Sequence, residues 1–300
     1  MVPPAGFTPL LNIDEGATTR LIETWVEFSM TPQQVEQENR LYTGHQGQDE
    51  QHSSSTAVTL ATRSANVLCQ AEDTVLLQGR IAFPAPAGPS GVPAAAPGSP
   101  LFSNSWVLNR ETPSDYGLLC VGPVNYNLPA TQVVKVNQSA AAAAPAPVEY
   151  SQLTVAAIAD AYSILQATGH YGPYACVIYF YPYADSYSPL PNTLILPADR
   201  INPLMTKGYY GTGTMPGIPN PTNPPAAGPL AAIPNPTNLG TQSMGLVVSI
   251  GGNTMDLVIG QDPVTAFMQQ DPNGNVRFRV VERFALRLKD MSAVIRLEFQ

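Results

Sequence analysis

Three tracts of this chain lack the means to form a packed core, and they dictate where regular structure can lie. Residues 84–100 read PAPAGPSGVPAAAPGSP and residues 139–147 read SAAAAAPAP. Residues 216–240 carry the hexapeptide IPNPTN twice, at 218–223 and again at 233–238. Proline fixes φ and removes a backbone donor, so neither a helix interior nor a central strand runs through such segments. Two copies are far too few for a solenoid, so the third tract reads as a duplicated surface loop. Helices and strands must fall in the blocks between.

Residues 1–20 read as an extended arm, because Pro3, Pro4 and Pro9 remove helix donors and no apolar period is sustained. In LIETWVEFSM, residues 21–30, Ile22, Thr24, Val26 and Phe28 alternate, which predicts a strand. Thr31-Pro32 opens a polar segment of helical or turn character, and residues 43–55 form a polar loop. The clearest helix spans Ser55 to Gln78, with Thr56 or a neighbouring Ser as its cap and Gly79 as its end. Val58, Ala61, Ala65, Leu68, Glu72 and Val75 recur at helical steps, widened by Leu60, Val67 and Leu76. At about 35 Å it is long enough to act as a spine. A shorter helix is predicted at 151–168 and a buried strand at 174–180. MGLVVSI, MDLVIG, VRFRVVERFALRL and AVIRLEF predict four closing strands, with Asp271-Pro272-Asn273-Gly274 as a hairpin turn. Helices followed by antiparallel strands make an α+β arrangement.

Composition narrows the function. A hydrophobic fraction of 44% supports a real core, while the charged fraction is only 12%, about half that of an ordinary soluble domain. Such poverty of charge suits a subunit whose faces are covered by neighbours. The net charge is −8 and there is no Lys/Arg run, so a direct grip on nucleic-acid phosphates is disfavoured. Cys69, Cys120 and Cys176 stand far apart, without zinc spacing, and read as buried thiols in a reducing compartment. The N-terminus lacks the basic and apolar stretches of a signal peptide, and no apolar run approaches the roughly 18 residues of a membrane span. A soluble, cytoplasmic chain without membrane contact is expected.

Motifs that carry chemistry are scarce in the chain. The chain has no G-x-S-x-G elbow, H-E-x-x-H helix, Walker loop or strand-linked G-x-G-x-x-G. Gly208-Tyr209-Tyr210-Gly211-Thr212-Gly213 reads as a turn, since it lacks the Lys-Ser/Thr that holds phosphate and metal. His45 and His52, near Asp49 and Glu50, read as solvated loop residues, and His170 stands apart. Glu72 and Asp73 are adjacent on the long helix and so point in different directions, unlike a catalytic dyad. The tyrosines 171, 174, 179, 181, 183 and 187 lack the basic neighbours of a base-stacking platform and read as packing or inter-subunit residues. No catalytic residue, cofactor or metal is expected.

The C-terminal segment, residues 257–299, resembles the end of encapsulin shell proteins. Gly260-Gln261-Asp262, and then Val276 to Arg287 with Arg277, Glu282 and Phe284, match that family's apolar strand, Gly-Gln-Asp, turn and V-R-F-x-V-x-E-x-F pattern. Ala71-Glu72-Asp73 with Gly79, Gly172-Pro173-Tyr174 with Val177-Ile178, and Leu21-Ile22-Glu23 through Arg40 agree in the same order. The resemblance is collinear over about residues 20–80 and 150–299. It implies the tailed-phage major-capsid-like fold, with peripheral domain, axial domain and extended loop.

By the same resemblance, residues 1–50 would hold the N-terminal arm and extended loop. Residues 51–150 would be the peripheral-domain part with the spine helix and a Pro/Ala-rich insertion. Residues 151–245 would be the axial domain, and 246–300 strands returning to the peripheral domain. Leu21, Ile22, Trp25 and Phe28 would lie in the extended loop and add strand pairing between subunits. Asp185, Tyr187, Leu194, Ile195 and Leu196 would line a symmetry-axis pore that passes ions poorly. The implied function is a self-assembling icosahedral shell, a homo-oligomer enclosing a cargo enzyme, with a second shell protein as a further partner. Residues 1–20 do not read as the amphipathic helix with which cargo-loading members begin, so cargo loading by that route is not expected. The competing readings are a phage or prophage major capsid protein that packages nucleic acid, and a soluble enzyme or binding module with an unrecognised site.

Overall fold

The computed structural model describes residues 20–44, 55–83, 99–111, 117–119, 128–136, 150–189, 194–215, 243–251 and 253–299. Residues 1–19, the His45/His52 loop, Cys120, residues 139–147 and 216–240, and the Pro/Ala tract up to residue 98 lie outside them. Along the chain come β1 (Ile22–Met30), α1 (Pro32–Gly44), α2 (Thr56–Gln78), α3 (Pro100–Ser103), β2 (Leu108–Arg110) and β3 (Val133–Val136). Next are α4 (Ser151–Ala167), β4 (Tyr174–Tyr179), α5 (Phe180–Asp185), α6 (Pro197–Ile201) and β5 (Tyr209–Thr212). The strands β6 (Ser243–Ser249), β7 (Met255–Gln270), β8 (Val276–Leu288) and β9 (Val294–Phe299) close it.

The long helix is fixed at both ends by the residues expected to do so. The Ser55 hydroxyl accepts from the Val58 N–H, and Gly79 at φ 60° lets the chain turn away after Gln78. Glu38 of α1 adds a carboxylate at the helix start, accepting from the Ser55 hydroxyl and the Thr56 and Ala57 amides. The Ser55 hydrogen bond, helped by those amides, holds the Glu38 carboxyl below its ordinary pKa. Only the C-terminal two-thirds of α2 is buried, through Ser64, Leu68, Ala71, Thr74, Val75, Leu77 and Gln78. Val58, expected on the apolar stripe, is 64% exposed, because the buried part of α2 begins only at Ser64.

One sheet has the order β2-β1-β8-β7 and is antiparallel throughout. In β1 and β8 the pairs Ile22↔Phe284, Thr24↔Glu282 and Val26↔Val280 share one face, and α2 covers it with Leu68, Ala71 and Val75. The other sheet has the order β3-β9-β6-β4-β5. It is apolar on both faces: Cys176, Ile178, Val247, Ile295, Leu297 and Phe299 meet α4, while Ala175, Tyr179, Met244, Leu246 and Val294 meet Leu77 and Leu119. Leu118 and Leu119 donate to the carbonyls of Leu76 and Leu77 at 2.9 Å. Gly117 makes that approach possible, since a Cβ there would stand 2.5 Å from the Leu77 carbonyl.

Several expectations are corrected. The four closing strands do pair antiparallel, β6 with β9 and β7 with β8, but the short strands β3 and β5 join the second sheet in parallel and make it mixed. Residues 209–212 form β5, where Tyr209 and Tyr210 outweigh the flanking glycines; they do not form a turn. The strand begun by MDLVIG continues through Pro263 to Gln270, with register shifts around Gln261 and Val264 that absorb the proline. A boundary at 245/246 cuts through β6, and β6 and β9 join the sheet of β4 and β5, so residues 246–300 do not all return to the α2 region. Cys176 is buried as expected, whereas Cys69 is exposed on α2.

Candidate functional site

The expected pore residues fall around α5 and α6, with residues 190–193 outside the described ones. Leu194 is 96% exposed, and Ile195, Tyr187, Phe180 and Tyr210 are exposed as well. Leu196 is half-buried at the start of α6. The Tyr183 and Tyr187 hydroxyls stand 3.2 Å apart over rings 5.2 Å apart. Asp185 accepts from the Tyr150 N–H at 2.6 Å, so its carboxylate ties α5 to the start of α4. Large apolar or phenolic side chains dominate the exposed α5 and 194–195 surface, while Asp199 and Arg200 of α6 are exposed beside it. Such a surface can bury area against another protein and gives an ion little to coordinate.

The residues assigned to the extended loop divide. Leu21 is exposed and Trp25 and Phe28 are half-buried, but Ile22 is 3% exposed inside the α2 core. β1 is paired with β8 along its whole length and with β2 at Glu23, Thr24 and Trp25. The strand that alternation signalled is thus present, and its partners in this chain are β8 and β2.

The C-terminal motif residues have separate structural duties. Gly260 leaves room for Leu21, whose Cδ1 would lie 2.5 Å from a Cβ at that position. Gln261 and Asp262 sit at the β7 register shift, Arg277 pairs with Asp271 across the hairpin at 3.6 Å, and Phe284 is core. Glu282 is buried and accepts from the Thr24 hydroxyl at 3.1 Å. Burial, together with the nearby charge of Glu72, pushes its carboxyl up to about 7. On the other face of the strand Arg283 donates to the buried Glu23 from both Nε (2.8 Å) and Nη2 (2.6 Å).

Sequence reasoning missed a long run of exposed apolar residues on one strand. β7 is the outer strand of its sheet, and Leu257, Val258, Ile259, Val264, Phe267 and Met268 are all exposed along it. An edge strand of this length and composition is a template for pairing with another chain. The signal was present in Val264, Thr265 and Phe267, β-formers lying between Pro263 and the turn. Pro263 masked it.

His170, Asp290 and Ser292 also meet: His170 Nε2 lies 2.8 Å from Ser292 Oγ and 3.5 Å from Asp290 Oδ2. A nucleophilic triad needs the carboxylate on the ring nitrogen opposite the hydroxyl. Here Ser292 and Asp290 approach the same nitrogen and the Ser292 hydroxyl donates to Asp290, so the cluster fastens the turn before β9. Among the described residues no group of His, Cys, Asp and Glu has the arrangement of a metal site. Among them, too, no helix is long and apolar enough to cross a membrane.

No protein-family model matches the chain. Over 142 residues it is 29% identical to the type 1 encapsulin shell protein EncA of Myxococcus xanthus, a match covering 47% of this chain and 40% of that protein. The match thus spans less than half the length of the curated relative, and it bears out the resemblance read from the C-terminal motifs. Among solved structures, one of Mycobacterium phage Ogopogo aligns with a TM-score of 0.52 at 12% identity, covering 94% of this chain and 76% of that one. A virus-like particle from Pyrococcus furiosus aligns with a TM-score of 0.49 at 13% identity, covering 94% and 77%. The fold is the α+β, tailed-phage major-capsid-like one that the sequence implied.

Proposed function

We propose that this chain is the self-assembling subunit of an icosahedral, encapsulin-like shell that encloses cargo protein in the cytoplasm. The observation that carries the reading is the similarity to a curated encapsulin shell protein. The exposed apolar edge of β7 and the exposed α5–α6 surface support it, since both are surfaces a solitary subunit would be expected to guard. Copies meeting through different patches close into a cage when the rotation closes. The chain's part is structural: it brings no catalytic group, and any chemistry would belong to the enclosed protein. The pore reading is kept for Tyr187, Leu194, Ile195 and Leu196, around an axis of the shell, with Asp185 holding the loop's base.

Negative-stain microscopy of the purified recombinant chain, with protein and nucleic-acid analysis of what it contains, tests the reading. Closed particles free of nucleic acid are expected, and co-expressed native neighbours supply the cargo and any second shell protein. Particles filled with nucleic acid would instead make the chain a phage or prophage major capsid protein, an outcome the net charge of −8 argues against. A discrete monomer would overturn both.

A further inference from the structure

Glu282 is a carboxyl in an unusual place. It is 3% exposed, on the β8 face that carries the α2 helix, between the core residues Val280 and Phe284. Its hydrogen bond comes from the buried Thr24 hydroxyl of β1, a neutral donor. Ion pairing is concentrated on the opposite face: Arg283 is committed to Glu23, and Arg279 stacks 5.9 Å over Trp25. From α2 the titratable groups near it are Cys69 and Glu72, with Asp73 beside Glu72, and all are acidic. From β7 the register shift opposite Glu282 brings only Asp262, and Glu23 and Glu27 of β1 alternate to the far face. Arg63 within α2 and Arg80 just beyond it are exposed. Among the described residues no cation forms a salt bridge with Glu282.

We propose that Glu282 and Glu72 form a proton-operated joint between the spine helix and its sheet. With a proton on Glu282 the joint is neutral at its centre and α2 lies closed on β1 and β8. When that proton leaves, a buried carboxylate without a paired cation lies beneath α2 in the field of the Glu72 carboxylate, and the C-terminal turns of α2 lift more often. Burial first, and then the charge of the half-buried Glu72, favour the proton on Glu282. A carboxyl whose folded-state pKa lies above its unfolded value stabilises most at acid pH. That contribution is lost as pH rises through the folded value, then stays level. The window runs from the ordinary carboxylate range up to about 7.

The test is hydrogen–deuterium exchange of the α2 segment Leu68–Gln78 in the purified full chain at pH 5 to 8.5, corrected for intrinsic exchange. In the natural protein, protection is expected to fall by more than about 10-fold between pH 5 and 7 and to level above 7.5, within the limit of about 10-fold per pH unit that one proton sets. In Glu282→Gln, which mimics the protonated side chain, protection is expected to stay flat. A Gln variant with the same slope as the natural protein would overturn the proposal. Should Glu282→Gln fail to fold, Glu72→Gln decides. Removing the facing charge is expected to move the fall to lower pH, and an unmoved fall would sink the idea.

Discussion

The two sheets are built on opposite plans. The β3-β9-β6-β4-β5 sheet is covered on both faces and mainly apolar, with Ile178, Val247, Ile295 and Phe299 fully buried and one nearly buried ion pair, Arg296 with Glu298. The β2-β1-β8-β7 sheet is covered by α2 over part of one face, buries Glu23, Thr24 and Glu282 within itself, and leaves most of the 16-residue β7 exposed. Stability is thus concentrated in the first sheet, while the second carries the polar adjustment and the free edge. A subunit that must be rigid alone and still meet neighbours separates these tasks.

The largest effect should come from the covered sheet. Phe299→Ala removes a fully buried ring that meets Tyr150 edge-on at 5.1 Å, and should cost about 3–5 kcal/mol in denaturant unfolding. If it costs no more than a surface change, the contrast between the sheets is broken. Next comes Arg283→Ala, which strands the buried Glu23 without its bidentate partner. A loss of about 1–3 kcal/mol is expected at neutral pH, read by the same unfolding curve.

Thiol labelling sharpens the comparison without mutation. Cys69 is exposed on α2, and Cys176 is buried in the β4 core, where desolvation pushes its thiol well above the ordinary range. Peptide mapping after brief alkylation at pH 8 should find Cys69 modified and Cys176 protected by at least about 100-fold, because the thiolate of an exposed Cys is the reactive species. Burial and neighbouring carboxylates also raise Cys69, so it should react more slowly than a free thiol. The smallest effect on folding should be Phe267→Ser on β7, 63% exposed, within about 0.5 kcal/mol. By the shell reading it should nevertheless lower the assembled fraction, measured by size exclusion.

Much of this was legible because local signals agreed. Ser55 and Gly79 bracket α2 as read, Gly274 at φ 82° makes the hairpin turn, and alternation in residues 22–30 and 276–288 gave true strands. What stayed hidden depended on which element packs where. Val58 sits on the right helical face, yet the buried part of α2 begins only at Ser64. Ile22 reads as a strand residue, but that α2 and Phe284 bury it appears only in the fold. Pro263 reads as a strand end, and only the register shift with β8 carries β7 past it. Glu282 is an ordinary alternating residue in sequence, and its burial appears only once Thr24 and α2 close over it.

The most direct test of the shell reading is the mass of the purified chain in solution, by mass photometry at neutral pH. The subunit is 31.9 kDa, and closed particles of megadalton mass are predicted. A population confined to the monomer or a small oligomer would contradict it.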